Sequence, residues 1–222
     1  MTETRLLLAS ASPARLRILR AAGIEPVVKP SDVDERSVRD YLRAERGTLS
    51  PPTEALELAR AKAEAVAAGV VGLVVLGCDS VLELDGTGYG KPAGPDEAVQ
   101  RWSRMRGRSG VLHTGHWVID RRDSSSPSRA AVASTTVHFA DLTDDEIAAY
   151  VATGEPLDVA GAFTIDGLGG AFVEQIAGDP ANVIGLSLTV LRRLLADLGV
   201  SWTALWGEAA IAAPCPAWRR RC

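Results

Sequence analysis

Asp79 stands in Gly77-Cys78-Asp79-Ser80, directly after an apolar run over residues 70–76. A carboxylate there can hold a divalent cation or take a proton from water; it can equally cap a turn. Near the N-terminus, the segment ASASPAR (residues 9–15) crosses from a second apolar run into a helical pattern. At a strand-to-helix turn the first backbone N–H groups are unpaired, and with the helix dipole they attract an anion. Ser10 and Ser12 add hydroxyls and Arg15 a planar cationic fork, a set that suits phosphate. Taken alone, Ser12 is also an ordinary N-cap and Arg15 an ordinary solvated charge. Lys62 lies on a helical stretch with an apolar face, and Lys91 in a Gly-Lys-Pro turn that fixes its backbone; each could meet the same anion or simply face solvent. Glu35 closes the acidic stretch SDVDE, where it can ligate a metal or be solvated. His113 and His116 lie three apart, so on a strand they face opposite sides and read as structural. No Ser-His or Cys-His nucleophile stands out. A phosphate-shaped turn, two lysines, an arginine and carboxylates fit metal-assisted attack of water on a phosphate chain.

The elements that must position these groups follow from the apolar periodicity. Residues 5–9 read as a short buried strand, and Ser12-Pro13 starts a helix with Leu16, Leu19 and Ala22 on one face and Gly23 at its end. Residues 24–29 read as a second strand, 31–35 as an acidic loop and 43–52 as a linker or loop. Thr53 is expected to cap a helix reaching about residue 68. The run over 70–76 is too apolar to be an edge strand; it ends at residues 77–80, continues over 81–84 and meets a hairpin signal at Asp85-Gly86. Residues 95–105 predict a helix, and 111–120 with 131–139 an antiparallel pair around a flexible loop at 123–129. Thr143 to Glu146 is a capping box for a helix to about residue 153. Residues 156–170 read as an ordered loop beside a ligand, 171–176 as a strand and 186–198 as a closing helix. The tail, 200–222, is expected to pack weakly or be disordered.

The 222 residues suit one large α/β domain or two small lobes. With 46% hydrophobic and 23% charged residues the composition is that of a soluble globular chain, and no apolar run is long enough to span a bilayer. A net charge of -4 argues against sequence-blind nucleic-acid binding. Three cysteines without a CxxC pair argue against a disulfide framework or zinc site, and MTETRLLLAS lacks the pattern of a secretory signal. A reduced, cytoplasmic protein is expected.

The segments ASASPARLRIL, VDE, ARAKAEAV, GCDSV, GKP and GEPLDVAGAFTIDGLGGAFVEQIAGD, with a later IGL, fall in the order seen in Maf proteins. The chain resembles that family from about residue 6 to 198. These are nucleoside triphosphate pyrophosphatases, also described as septum-formation inhibitors. The resemblance implies a mixed α/β fold, with an elongated curved sheet flanked by helices and two lobes around a deep cleft, similar to inosine triphosphate pyrophosphatases. Residues 1–199 would form that unit. It implies metal-dependent hydrolysis (Mg²⁺ or Mn²⁺) of a nucleoside triphosphate to monophosphate and pyrophosphate, and a homodimer. Carried over by position, Asp79 matches the proton-accepting aspartate; Ser10, Arg15, Lys62 and Lys91 match phosphate contacts; Glu35 matches an acidic residue near the metal. Ser80 falls beside the base-reading part of the cleft.

Two positions depart from the pattern. Gly110 stands where many members have histidine, and Asp166 where the branch resembling dTTP and UTP hydrolases has glutamine. The branch resembling 7-methyl-GTP hydrolases has an acidic residue there but lacks Gly-Leu-Gly-Gly, while Asp179 to Asn182 look more like that second branch. A carboxylate at Asp166 could accept N3–H of uracil or thymine, or the N1–H and N2–H₂ edge of guanine, so the base stays open. A nucleotide-binding regulator of cell division, with slow hydrolysis, is the alternative; a sugar nucleotidyltransferase would need a glycine-rich N-terminal loop that is not present.

Overall fold

The computed structural model describes residues 4–207. Its frame is a seven-stranded mixed sheet in the order β2 (Val27–Val28), β1 (Leu6–Leu8), β3 (Val74–Leu84), β5 (Ser109–Asp120), β6 (Ser128–Phe139) and β7 (Val173–Ala177), with β4 (Thr87–Tyr89) paired to β3. β1 runs parallel to β2 and to the start of β3, where Leu6 to Leu8 face Val74 to Leu76. All other pairings are antiparallel. β1 therefore stops while β3 runs on, and a step opens in the sheet beside the middle of β3. Asp79 and Ser80 lie at that step. This corrects the expectation that the strand ends at residue 77 and leaves Asp79 at its carboxyl end: Asp79 lies inside an unbroken 11-residue strand, and it is the parallel neighbour that ends there.

Helix α3 (Pro51–Ala67), numbered after α1 (Pro13–Ala21) and α2 (Glu35–Arg46), crosses one face of the sheet on bare backbone. A Cβ placed on Gly77 would stand 2.2 Å from the Ala59 carbonyl oxygen, and one on Gly115 2.4 Å from that of Ala55. The two-residue period of a strand puts Asp79 on the same face as Gly77. The close approach thus sets Lys62 of α3 over Asp79. On the other face, α1 and a helix over Leu188–Ala196 pack on Leu6, Leu8, Leu76, Cys78 and Val118. At the far end of the sheet, Trp102 of a helix over Pro95–Met105 meets Phe139 and Tyr150 edge-on, with ring centres 5.7 and 5.6 Å away.

Several sequence-based boundaries move. Residues 35–46 form α2, capped by Asp34, so Glu35 begins a helix and does not end a loop. The helix was hidden because it is polar almost throughout, with Leu42 buried. Ser50, not Thr53, holds the N-cap position of α3, and prolines fill its first two positions, so the linker shrinks to 47–50. β2 is two residues long, and β3 starts at Val74. β5 and β6 start at Ser109 and Ser128, which shortens the connection between them to 121–127. Residues 168–172 form a 3₁₀ turn before β7. A short helix, Pro180–Ile184, precedes the closing helix, which spans Leu188–Ala196. The Asp85-Gly86 hairpin and the Thr143 capping box stand as expected; φ is 50° and 76° at the two turn residues. The start of the tail packs on the core: Val200 and Leu205 are buried and Trp206 bridges to Ile24. Residues 208–222, with Cys215 and Cys222, lie outside the described residues.

Candidate active site

A cleft of about 660 Å³ opens at the step in the sheet. All nine residues singled out from the sequence line it: Ser10, Ser12, Arg15, Glu35, Lys62, Asp79, Ser80, Lys91 and Asp166.

Its floor is a chain of charges. Lys62 Nζ donates to Asp79 Oδ1 at 2.5 Å and to Glu35 Oε1 at 2.7 Å. The other Glu35 oxygen accepts from Arg39 Nη2 at 3.2 Å, and Arg39 Nε donates to Glu54 at 2.6 Å. Asp79 Oδ2 is buried and has no hydrogen-bond partner among the described residues. Burial pushes the Asp79 carboxyl above its usual range; Lys62 opposes this and the Glu35 charge adds to it. Burial also works to raise Glu35, but Lys62, Arg39 and Lys91 together outweigh it and hold that carboxyl below its usual range. Two carboxylates joined by one lysine are pushed apart in acidity, the pattern that separates a proton acceptor from a fixed anion.

The turn after β1 forms the next wall. Ser12 caps α1 by accepting from the Arg15 N–H at 3.4 Å, so the plain reading of its hydroxyl holds. The plain reading of Arg15 does not. Its side chain is buried, and it donates to Gly185 O at 2.9 Å, to Ser10 Oγ at 3.2 Å and to Ser80 Oγ at 3.2 Å. Ser80, expected beside the base, is engaged with Arg15 and with Thr114 at 2.9 Å. Lys91 is exposed along the cleft wall. Asp166 is not a bare acid: Arg17 Nη2 donates to it at 2.6 Å.

Arg17 and Arg39 line the cleft and were missed from the sequence. Arg39 lies one helical turn beyond Glu35, a signal readable only once α2 is recognised. Arg17, two residues after Arg15, gave no spacing signal.

The histidines face opposite sides of β5, as expected. His113 joins Ser134 Oγ at 2.8 Å through Nδ1 and Glu83 Oε2 at 2.9 Å through Nε2, a Ser-His-Glu chain across three strands that chain order concealed. None of the three lines the cleft. His116 is buried and accepts the Ser187 N–H at 2.9 Å, and burial draws its pKa down to about 4. Burial pushes the Cys78 thiol up to about 12, so it is inert as a nucleophile. Gly110 lies under Leu82 and Leu84, outside the cleft lining, so the missing histidine leaves the site's charges intact. Among the described residues no three His, Cys, Asp or Glu side chains gather as a metal cluster. Among the described residues no helix is long and apolar enough to cross a membrane.

The profile of Maf-like proteins matches residues 5–198. A nucleoside triphosphate pyrophosphatase of Salinispora tropica is 56% identical over 217 residues, covering 96% of this chain and 92% of that protein. One of Streptomyces coelicolor is 57% identical over 208 residues, covering 92% and 96%. One of Leifsonia xyli is 52% identical over 212 residues, covering 93% and 99%.

Proposed function

The chain belongs to the Maf-like family, and from that footing we propose that it is a pyrophosphatase, hydrolysing nucleoside 5′-triphosphates to the monophosphate and pyrophosphate. The observation that carries the reading is Asp79. It is a buried carboxylate with one oxygen held by Lys62 and the other unpartnered, at the floor of a cleft lined by Arg15, Arg17, Arg39, Lys62 and Lys91.

The triphosphate lies along these cations, with Ser10, Ser12 and the first turn of α1 as further donors. Asp79, made more basic by burial, takes a proton from water as the water oxygen attacks the α-phosphorus. The bond from the α-phosphorus to its bridging oxygen breaks and pyrophosphate leaves. Arg15, Lys62 and Lys91 meet the charge that builds on the leaving group. Glu35 stays ionised and holds the Lys62 ammonium in place. Asp166, with Arg17, stands at the base end.

A divalent cation fits the donors present. Mg²⁺ is commonly held by one or two carboxylates plus substrate phosphates; the unpartnered Asp79 oxygen would be one donor, and Glu35, whose oxygens also accept from Lys62 and Arg39, would be the second. When bound there it would neutralise phosphate charge and acidify a water. The likeness to Maf proteins supports residues 1–199 as the catalytic unit, in two lobes about the cleft, and a cytoplasmic homodimer as the working form.

The test is product identification with Mg²⁺ or Mn²⁺ and a panel of ribo-, deoxyribo- and methylated nucleoside triphosphates. Monophosphate plus pyrophosphate is expected. Diphosphate plus orthophosphate would place the attack at the wrong phosphorus, and tight binding without turnover would favour the regulator.

A further inference from the structure

The carbonyl of Gly90, in the peptide that leads into Lys91, accepts two hydrogen bonds. One comes from Arg101 Nη1 at 2.5 Å and one from the Gly161 N–H at 3.0 Å. Arg101 belongs to the Pro95–Met105 helix, none of whose residues lines the cleft. It is only 3% exposed, and its buried neighbours on that helix, Ala98, Trp102 and Met105, are apolar. Its Nη2 donates to Glu97 at 2.5 Å, and its guanidinium lies 5.0 Å from the centre of the Tyr89 ring.

A guanidinium is costly to bury, and an apolar side chain of similar volume could fill the same space. What the arginine adds is the hold on Gly90. Fixing that carbonyl fixes the plane of the peptide whose nitrogen belongs to Lys91, and so the direction in which Lys91 leaves the backbone. The second donor, Gly161, lies on the segment that brings Asp158, Thr164 and Asp166 to the cleft. Trp102, next to Arg101, donates to Ala162 O of that segment at 2.7 Å. One helix outside the cleft thus holds two stretches of its wall.

We propose that Arg101 is a positioning residue for Lys91: its planar fork ties the Gly90–Lys91 peptide to the Pro95–Met105 helix and thereby aims the Lys91 ammonium at the phosphate chain. The inference rests on the reading of Lys91 as a phosphate contact. Lysine cannot replace the fork, because one ammonium does not hold Gly90 and Glu97 in the same plane while stacking on Tyr89.

The experiment compares R101M, R101K, K91A and the double variant R101M/K91A in Mg²⁺, with pyrophosphate and nucleoside monophosphate as product inhibitors. In R101M, inhibition by pyrophosphate is expected to weaken by about tenfold to a hundredfold, as small misplacements of a binding group do, while inhibition by monophosphate stays within about twofold. R101K should show the same selective loss at smaller size. The double variant should be no worse than K91A, since the two residues act on one contact. Wild-type pyrophosphate inhibition in R101K overturns the proposal whether or not R101M folds. So do additive losses in the double variant, and so does equal weakening of both products, which would mark a structural role. Unchanged pyrophosphate inhibition in K91A overturns the reading of Lys91 and this inference with it; weakening in K91A with wild-type behaviour in R101M overturns the inference alone.

Discussion

Lys62 reaches Asp79 at 2.5 Å because the helix that carries it rests on glycine backbone at Gly77 and Gly115. The same ammonium reaches Glu35 at 2.7 Å, so one cation joins α2 and α3 to the middle of β3. The two carboxylates together offset the cost of burying the lysine. Helix-to-sheet distance and charge placement are therefore one property of this protein.

That link makes the glycines testable. At Gly77 an added Cβ meets the Ala59 carbonyl and Ala63, and at Gly115 it meets Ala55 and Leu56, so backbone must move. G77A or G115A is expected to lose about 1–3 kcal/mol of stability, the usual range for overpacking. Turnover should fall with it, because a lifted α3 takes Lys62 from Asp79. Chemical unfolding and steady-state kinetics on the same preparations check both. Wild-type stability with wild-type turnover would show that the close contact does not set the site.

Asp79→Asn keeps the shape of the floor and removes the proposed proton acceptor. Turnover should fall by about 10²–10⁴, the contribution of a positioned general base, while nucleotide affinity changes little because the cations remain. Single-turnover rates and a separate binding titration distinguish the two. Near-normal turnover would remove Asp79 from the role of base.

The Arg17–Asp166 pair is largely outside: the two side chains are 62% and 28% exposed. A pair this open contributes about 0–1 kcal/mol to stability, so R17A and D166N should melt close to wild type. Their effect should fall on base choice. D166N exchanges an acceptor-only carboxylate for an amide that also donates, which should change the ratio of kcat/KM values between bases by about tenfold, one hydrogen bond's worth. The same ranking of bases in wild type, R17A and D166N would separate this pair from base recognition.

The chemistry of the floor was legible in residue types, but its assembly was not. Lys62 lies 27 residues from Glu35 and 17 from Asp79, and no local rule brings them together. Gly77-Cys78-Asp79-Ser80 has the composition of a turn, yet Gly77 is there for the helix above it; a glycine within a strand pattern was the available signal of close backbone approach. In α2 the large apolar residues are Val38, Tyr41 and Leu42 alone, a stripe one turn long, so Glu35 was placed in a loop. Arg101 looks like any surface arginine until its burial is known. The turn at Ser10 to Arg15 was readable in advance because capping and dipole act within a single helical turn.

His116 ties the fold to pH. Its Nε2 accepts the Ser187 N–H at 2.9 Å, so a proton added there would set donor against donor. Burial is the main reason its pKa falls from 6.5 to about 4, with Arg15 acting in the same direction and Asp179 opposing. Between those values the unfolded chain binds a proton that the folded chain refuses. Stability from this group is complete above the unfolded value of 6.5 and is lost as pH falls toward about 4. Fully expressed, the loss is about 3 kcal/mol. H116N keeps an acceptor without a titrating ring. Urea midpoints measured from pH 7.5 downward, on the approximate window that linkage sets, should therefore fall less steeply in H116N than in wild type. Parallel slopes for the two proteins would mean that His116 is protonated without penalty in the folded state, and the buried neutral ring would have to be abandoned.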